Sequence, residues 1–466
     1  MRLPADFLAR DMQRPMKYVA LFIGLVGIVP LTLFLRGNPA ARNHFWLLLG
    51  VIPFIIKVVP LFDLALITWH DFWFGFVPGL QVSAIDLIAI ALYFTVRHQT
   101  NSIRYHFPFL LYLTAISLSV FQADEPLAAV FYLWQCLRIY FFTIVIAKAC
   151  TDEAVPMQLL KGLAIGIAIQ FFVVIYQKFG LKLIQPTGTF IHQNTLGLIM
   201  HLVVMPHFAL LLRGQRQILS ALTPMWGLTV AALIASRAAL GFAVMGVLAT
   251  YFLSSLRRWS TRKALVGLGG VLIAAVLVPV AISSLEKRFD AAPLMEDEYD
   301  ERAAFNRTAL SMLAAKPFGV GANHYAYAGK KYGYSIRAGV VPFEGNLNNI
   351  VHNAYYLNAA EAGYLGLVAF TILMLYPIWI ALRYSWMARG DPRGDLLLGL
   401  GMGLATVAAH SLLEYVVVVQ EVQYVLAMVV GMIFGVAHQI RISRSEGARA
   451  PRSGVLRGPV GGQAIR

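Results

Sequence analysis

The chain has 466 residues, 59% of them hydrophobic and 13% charged, with a mean hydropathy of +0.68. Soluble domains carry about 45–50% apolar and about 25% charged residues, so this composition excludes a water-soluble globular fold. The formal charge of +15 sits in short turns and at the two ends of the chain, not in a basic stripe interleaved with aromatics, which excludes a nucleic-acid-binding surface.

Apolar segments follow one another near 17–36, 44–62, 82–97, 104–121, 126–148, 157–178, 194–213, 217–235, 237–256, 263–284, 353–383, 395–413 and 421–440. Most have the roughly 17–25 residues that cross a hydrocarbon core of about 30 Å. In lipid each must be helical, because every backbone N–H and C=O needs an internal partner. The segment 44–62 carries Pro53, Lys57 and Pro60 and is the weakest of these. The region 63–81 after it is rich in aromatics (WHDFWFGFVPG) and predicts an interfacial stretch. Both ends of the chain are basic and are expected in the cytoplasm, which requires an even number of passes. The sequence therefore predicts an all-α polytopic membrane protein with about 12 transmembrane helices. Four regions follow: a transmembrane bundle at 1–284, a large water-exposed loop at 285–351, further transmembrane helices at 352–440, and a basic tail at 441–466 expected to be disordered.

Charge gives the orientation. The tail 441–466 has six Arg and one Glu, and the turn 257–263 has Arg257, Arg258, Arg262 and Lys263 with no acid. Arg213 with Arg216, and Arg97 with Arg104, mark two more basic turns. All of these belong on the cytoplasmic side. The loop is balanced, with eight basic and eight acidic residues from 285 to 351. Alternation from the carboxyl end then places it, with His192, Arg237 and Gln420–Glu421, on the opposite face. Cys136 and Cys150, the two cysteines, fall in or beside one predicted helix, which argues against a disulfide framework.

The sequence has no P-loop, no glycine-rich dinucleotide turn, no HExxH and no paired-cysteine metal pattern. The run EDEYDE at 296–301 has the acids to hold a divalent cation. Its acids are adjacent in sequence and Arg302 and Arg307 follow closely, which favours a solvated segment. With no nucleotide site, an activated substrate must arrive by another route, such as a lipid carrier.

Chemistry-bearing side chains gather on the loop side. His352 directly precedes Asn353, which reads as the N-cap of the next helix. A helix N-terminus carries partial positive charge and disfavours the imidazolium, and a neutral histidine is what a general base requires. An interfacial histidine that only caps or hydrogen-bonds fits the spacing equally well. Arg237 lies in IASRAAL at the outer end of a span, and Arg302 and Arg307 lie in ERAAFNRTALSMLAAKP, an amphipathic helix ending before Pro317. Guanidinium groups match the paired oxygens of a diphosphate. The alternatives are pairing with the acidic run for Arg302 and Arg307, and snorkelling to the interface for Arg237. Arg138 is mid-span in YLWQCLRIYFF, where an ionisable group needs a partner or a polar cavity; its role is functional or structural. His192 and Asn194, in TGTFIHQNTLG, either bind a sugar or phosphate or cap a helix. Glu414, with His410, Gln420 and Glu421, flanks the last outer turn, where a carboxylate binds sugar hydroxyls, orients His352 or is merely solvated. His201 and His207 read as packed residues.

Taken together, Ser236–Arg237 opening a span, Arg302 through KPFGVGANHY in a long loop, and HNAYYLNAAEAGYLG from His352, with Asn353, Tyr355, Glu361, Gly363 and Gly366, resemble the O-antigen ligase/polymerase superfamily, across roughly 185–435. The resemblance implies a GT-C-like helical glycosyltransferase of the bacterial inner membrane, metal-independent, cofactor-free and inverting, with its site facing the periplasm. Its donor would be a glycan on undecaprenyl diphosphate. His352 matches the family's base, and Arg302 and Arg237 match its diphosphate-binding arginines, with Arg307 or Arg138 in support. Asn353, His192, Asn194, Glu361 and Glu414 would bind or orient the sugars. The acceptor would be lipid A–core for a ligase, which the sequence resembles most, or a second lipid-linked repeat for a polymerase. A lipid-linked glycan transporter is the third reading; the repeated halves and mid-membrane binding groups common in transporters are not visible in the sequence.

Overall fold

The computed structural model describes residues 4–59, 62–68, 73–96, 101–214, 217–291 and 296–449. Its helices run alternately along one bundle. One end, here the loop end, carries the large loop; the other, the tail end, carries the carboxyl terminus. Helices α1 (Pro4–Gly37) and α2 (Pro39–Val51) come first, α2 closing in a 3₁₀ turn at Ile52–Phe54. A hairpin of β1 (Asp63–Thr68) and β2 (Gly79–Ser83) follows, then α3 (Ala84–Tyr93), α4 (His106–Val120), α5 (Pro126–Ala149) and α6 (Ala154–Ile175). Next come α7 (Gln193–Arg213), α8 (Ile218–Leu233), α9 (Arg237–Arg257) and α10 (Thr261–Ala291). The loop holds α11 (Glu296–Ala315) and the short α12 (Tyr325–Lys331), α13 (Tyr334–Arg337) and α14 (Glu344–Leu347). The chain returns through α15 (Ala354–Met387), α16 (Pro392–His410) and α17 (Gln420–Arg449).

Among the described residues, eight helices are long and apolar enough to cross a membrane: α1, α5, α6, α7, α9, α10, α15 and α17. Helices α2, α3, α4, α8 and α16 run in the same alternation but are shorter or more polar. Of the expected set of about twelve spans, eight are thus full-length helices, and the remaining passes of the bundle are these five lesser ones. The parity also differs from expectation. The Lys17 ammonium donates to the carbonyls of Ala65 (2.8 Å) and Leu66 (3.1 Å) in β1, whereas Arg36 donates to Phe94 O (3.1 and 2.9 Å) beyond α3. Helix α3 starts at the loop end, where Ser83 meets Tyr424 near the start of α17. So α1 begins at the loop end and finishes at the tail end, opposite to the direction read from charge. Carbonyls of the hairpin satisfy Lys17 there, an interaction that a count of basic residues does not contain.

Two further expectations change. The chain is not all-α: β1 and β2 pair antiparallel, Asp63 opposite Ser83 and Thr68 opposite Gly79. Within the stretch expected at an interface, the segment 73–77 beyond β1 packs on the loop. Trp73 stacks on Tyr327 (5.2 Å between centroids), and Lys330 sits over the Phe74 ring at 4.1 Å. The tail is also less irregular than its composition implies, since α17 continues through 441–449; residues 450–466 lie outside the described residues.

The most enclosed helices are α7 and α17. Helix α16 approaches α7 through glycines: a Cβ at Gly399 would fall 2.4 Å from Pro206 Cα, and one at Gly403 would fall 2.8 Å from His201 O. In lipid, close packing of small residues replaces the hydrophobic drive between helices. His201 and His207 are buried on α7, as read from the sequence. Arg138 finds its partner on α3. Its Nη1 bonds Asp86 Oδ2 (2.6 Å) and the Tyr424 hydroxyl (3.0 Å), and Asp86 also accepts from Tyr424 (2.7 Å) and closes a capping box with Ser83. All four residues are buried. Removing one partner of such a pair strands the other charge, typically at about 3–5 kcal/mol. Asp86→Ala is therefore expected to lower the thermal midpoint of the purified protein far more than substitution of the exposed Arg383.

Candidate active site

The site is assembled from five separate stretches of chain at the loop end. His352 stands one residue before α15, whose N-cap is Asn353; the Asn353 carboxamide oxygen accepts the Tyr355 and Tyr356 N–H groups (both 3.0 Å). Ala354 N–H donates to Ser411 O (2.9 Å), which ties this corner to the turn after α16. That turn carries Glu414. Its Oε2 lies 3.1 Å from His352 Nδ1, and its Oε1 accepts the Asn194 amide at 2.5 Å. Asn194, in the first turn of α7, also accepts the Ser236 hydroxyl (3.1 Å). Ser236 is the N-cap of α9, so the next residue, Arg237, is fixed at the head of that helix. Arg302, on α11, reaches Glu414 Oε1 with Nη2 at 3.7 Å.

Burial is graded. The Glu414 side chain is 2% exposed, His352 25% and Arg302 48%. The carboxylate is thus the hidden hub, and the imidazole and the guanidinium are its open rim. Phe305, one helical turn beyond Arg302, lies 6.4 Å from the His352 ring, and Tyr415 lies edge-on at 5.7 Å. These rings and the Glu414 contact fix the imidazole plane. In a neutral imidazole, an Nδ1–H donated to this carboxylate leaves the lone pair on Nε2, which is the form a general base needs.

A second interlock holds the loop in register. Helix α15 is broken at Gly363 (φ 69°, ψ −164°). Into the break fits the segment after Pro317: Val320 N–H bonds Ala360 O (2.9 Å), Gly321 N–H bonds Glu361 O (3.0 Å), and Tyr364 N–H bonds Pro317 O (3.1 Å). The Glu361 carboxylate accepts the N–H groups of Asn323 (2.8 Å) and Tyr325 (2.9 Å) at the head of α12. Glu361 therefore anchors the loop and does not join the His352 cluster; it is buried at 3% exposure. The side chain of Asn323 crosses to Val77 and Ala128. Burial lowers the pKa of His324, so this imidazole is neutral and accepts the Glu125 N–H through Nε2 (3.1 Å). The PFGVGANHY and EAG motifs are two halves of this one joint.

The structure thus brings His352, Arg302, Asn194 and Glu414 to one hub, and Ser236, bonded to Asn194, sets the backbone of Arg237 beside it. His192 caps α7 beside it and takes the Asn194 N–H on Nδ1 (3.1 Å). Two arginines have other partners. Arg307 is five residues past Arg302, about 140° around the helix, and donates through Nε to Ala338 O within the loop (3.0 Å). Arg138 is engaged by Asp86 and Tyr424, as described above. The acidic run forms the first turns of α11, but the side chains of 296–300 lie outside the described residues. Sequence reading gave Glu414 no more weight than its neighbours. The available signal was an acid placed between an apolar helix and the strongly apolar VVVV run, where a solvated carboxylate has little room.

A multi-pass helical membrane protein with a histidine–carboxylate pair and cations at the rim of a large loop is the class this architecture defines. Residues 224–371, from α8 through the middle of α15, match the family model described as O-antigen ligase. The chain carries a domain of the O-antigen ligase family. That match contains Arg237, Arg302, His352 and the Pro317–Gly363 joint, while Asn194 and Glu414 lie outside it. No curated protein matches the chain.

Proposed function

We propose that the protein is a metal-independent, inverting glycosyltransferase of the inner membrane. It moves a glycan from undecaprenyl diphosphate to an acceptor sugar hydroxyl on the periplasmic face, in the ligation of O-antigen to lipid A–core. The observation that carries this reading is the convergence of three distant segments, which sets His352 and Arg302 at an open rim over the buried Glu414. His352 Nε2 takes the proton of the acceptor hydroxyl. The resulting oxygen attacks the anomeric carbon as the bond to the diphosphate oxygen breaks from the opposite side, which inverts the configuration. The electron pair of that bond goes to the diphosphate, and Arg302 and Arg237 meet the charge that grows there. Glu414 is a positioning residue that holds the imidazole in its basic tautomer. His192, Asn194 and Asn353 line the approach of the sugars. The protein's guanidiniums supply the positive charge that a divalent cation supplies elsewhere.

A purified assay with lipid-linked donor and lipid A–core acceptor tests this. Product formation is expected to persist in excess chelator; strict dependence on added Mg²⁺ would remove the metal-free step. Arg302→Lys is expected to keep part of the activity, and Arg302→Glu to lose it, because Lys retains charge without the fork. In cells, deletion is expected to leave long polymer on the carrier and bare lipid A–core. Accumulation of single repeats instead would assign the same chemistry to a polymerase.

A further inference from the structure

At the tail end, away from the hub, a cavity of about 690 Å³ opens beside the start of α4 and the end of α5. Its polar wall includes Arg104, His106 and Lys148, and no acidic residue lines it. Neither Arg104 nor Lys148 has an ion-pair partner among the described residues. The Arg104 backbone is fixed, since its carbonyl accepts the Tyr376 hydroxyl (2.5 Å), and His106 Nδ1 meets the Tyr140 hydroxyl (2.7 Å). The segment before it is pinned to α17, where Arg441 donates to Ser102 O (2.7 Å). The other wall is the apolar face of α4: Phe107, Leu110 and Leu111 line the same cavity, and the first two are more than half exposed.

A pocket with free cations at one end and an exposed apolar helix face leading away has the chemistry of an amphiphile with an anionic head. Basic pockets between spans bind anionic lipid head groups at the cytoplasmic surface. We propose that this pocket is a binding site for an anionic phospholipid. The phosphodiester lies between Arg104 and Lys148, and one acyl chain runs along Phe107, Leu110 and Leu111. A free phosphate would use only the cationic wall, whereas the lipid uses both. The lipid would brace the junction of α4, α5 and α17 at the end of the bundle opposite the hub.

Native mass spectrometry of the detergent-purified full chain tests the proposal, with phosphatidylglycerol, phosphatidylcholine and inorganic phosphate as separate probes. Phosphatidylglycerol is expected to give retained adducts and to raise the melting midpoint; phosphatidylcholine and phosphate are expected to do neither. Arg104→Ala with Lys148→Ala is expected to weaken phosphatidylglycerol binding by roughly tenfold or more, for two surface cations lost. Arg104→Lys with Lys148→Arg is expected to retain it, which separates loss of charge from loss of fold. Equal retention of phosphatidylcholine, undiminished phosphatidylglycerol binding in the double alanine variant, or phosphate binding as strong as lipid binding would each overturn the assignment.

Discussion

Replacing His352 by Ala is expected to lower the rate of glycan transfer by about 10²–10⁴-fold, the usual contribution of a positioned general base, while the protein still inserts and folds. The imidazole is a quarter exposed and its ring contacts are with Phe305 and Tyr415, so little packing is lost with it. Donor binding is expected to survive, because it rests on the arginines, and the loss should fall on turnover and not on apparent donor affinity. Glu414→Gln probes the positioning role. A carboxamide presents one oxygen and one NH₂ where the site needs two acceptors, for His352 Nδ1 and for the Asn194 amide. It must turn a donor toward one of them. If it faces the histidine, the imidazole flips tautomer and the base is lost. The expected result is a fall in turnover approaching that of the alanine variant, with an altered pH profile. A Glu414→Gln enzyme with full turnover and an unchanged profile would remove Glu414 from the site.

The second large effect is structural and centres on Gly363. Its φ of 69° with ψ of −164° lies where essentially only glycine is found, at a cost of about 1–3 kcal/mol for other residues. The space is also closed, because a Cβ there would fall 2.2 Å from Pro317 O and 2.6 Å from Phe318 Cα. Gly363→Val is therefore expected to destabilise the protein strongly and to abolish transfer together with stability, which its melting curve and yield would show. Gly390→Ala is the control. It lies in the exposed turn before α16 with nothing within 4 Å of a new Cβ, and it is expected to be silent. If both variants melt alike, the joint between Pro317 and Gly363 does not hold the loop.

The contrast between these sites shows what the sequence makes legible. Apolar length marks the passes because lipid leaves the backbone no alternative to helix, and that held for the long segments. Marginal segments were less readable. Helices α2 and α3 are shorter than the apolar runs 44–62 and 82–97 that announce them, and the hairpin between them is half masked by aromatics that resemble an interfacial belt. The break in α15 is invisible to hydropathy, since 353–383 reads as one apolar run. It is stabilised by backbone bonds to a segment some forty residues earlier. His352 and Arg302 could be singled out because their motifs are local. The part of Glu414 could not, because Asn194, Ser236, Arg302 and His352 are brought to it only by packing between distant helices. Arg138 was legible as a group needing a partner, but its pairing with Asp86 was not, because the two meet only when α3 packs against α5.

The run of α1 from Lys17 beside the hairpin to Arg36 beside Phe94 has a consequence for the molecule as a whole. Its two described ends, Pro4 and Arg449, lie at opposite ends of the bundle. A reporter fused ahead of Pro4 and one fused after Arg449 are therefore expected to behave oppositely, an impermeant label or protease supplied to one side of a sealed vesicle reaching one of them and sparing the other.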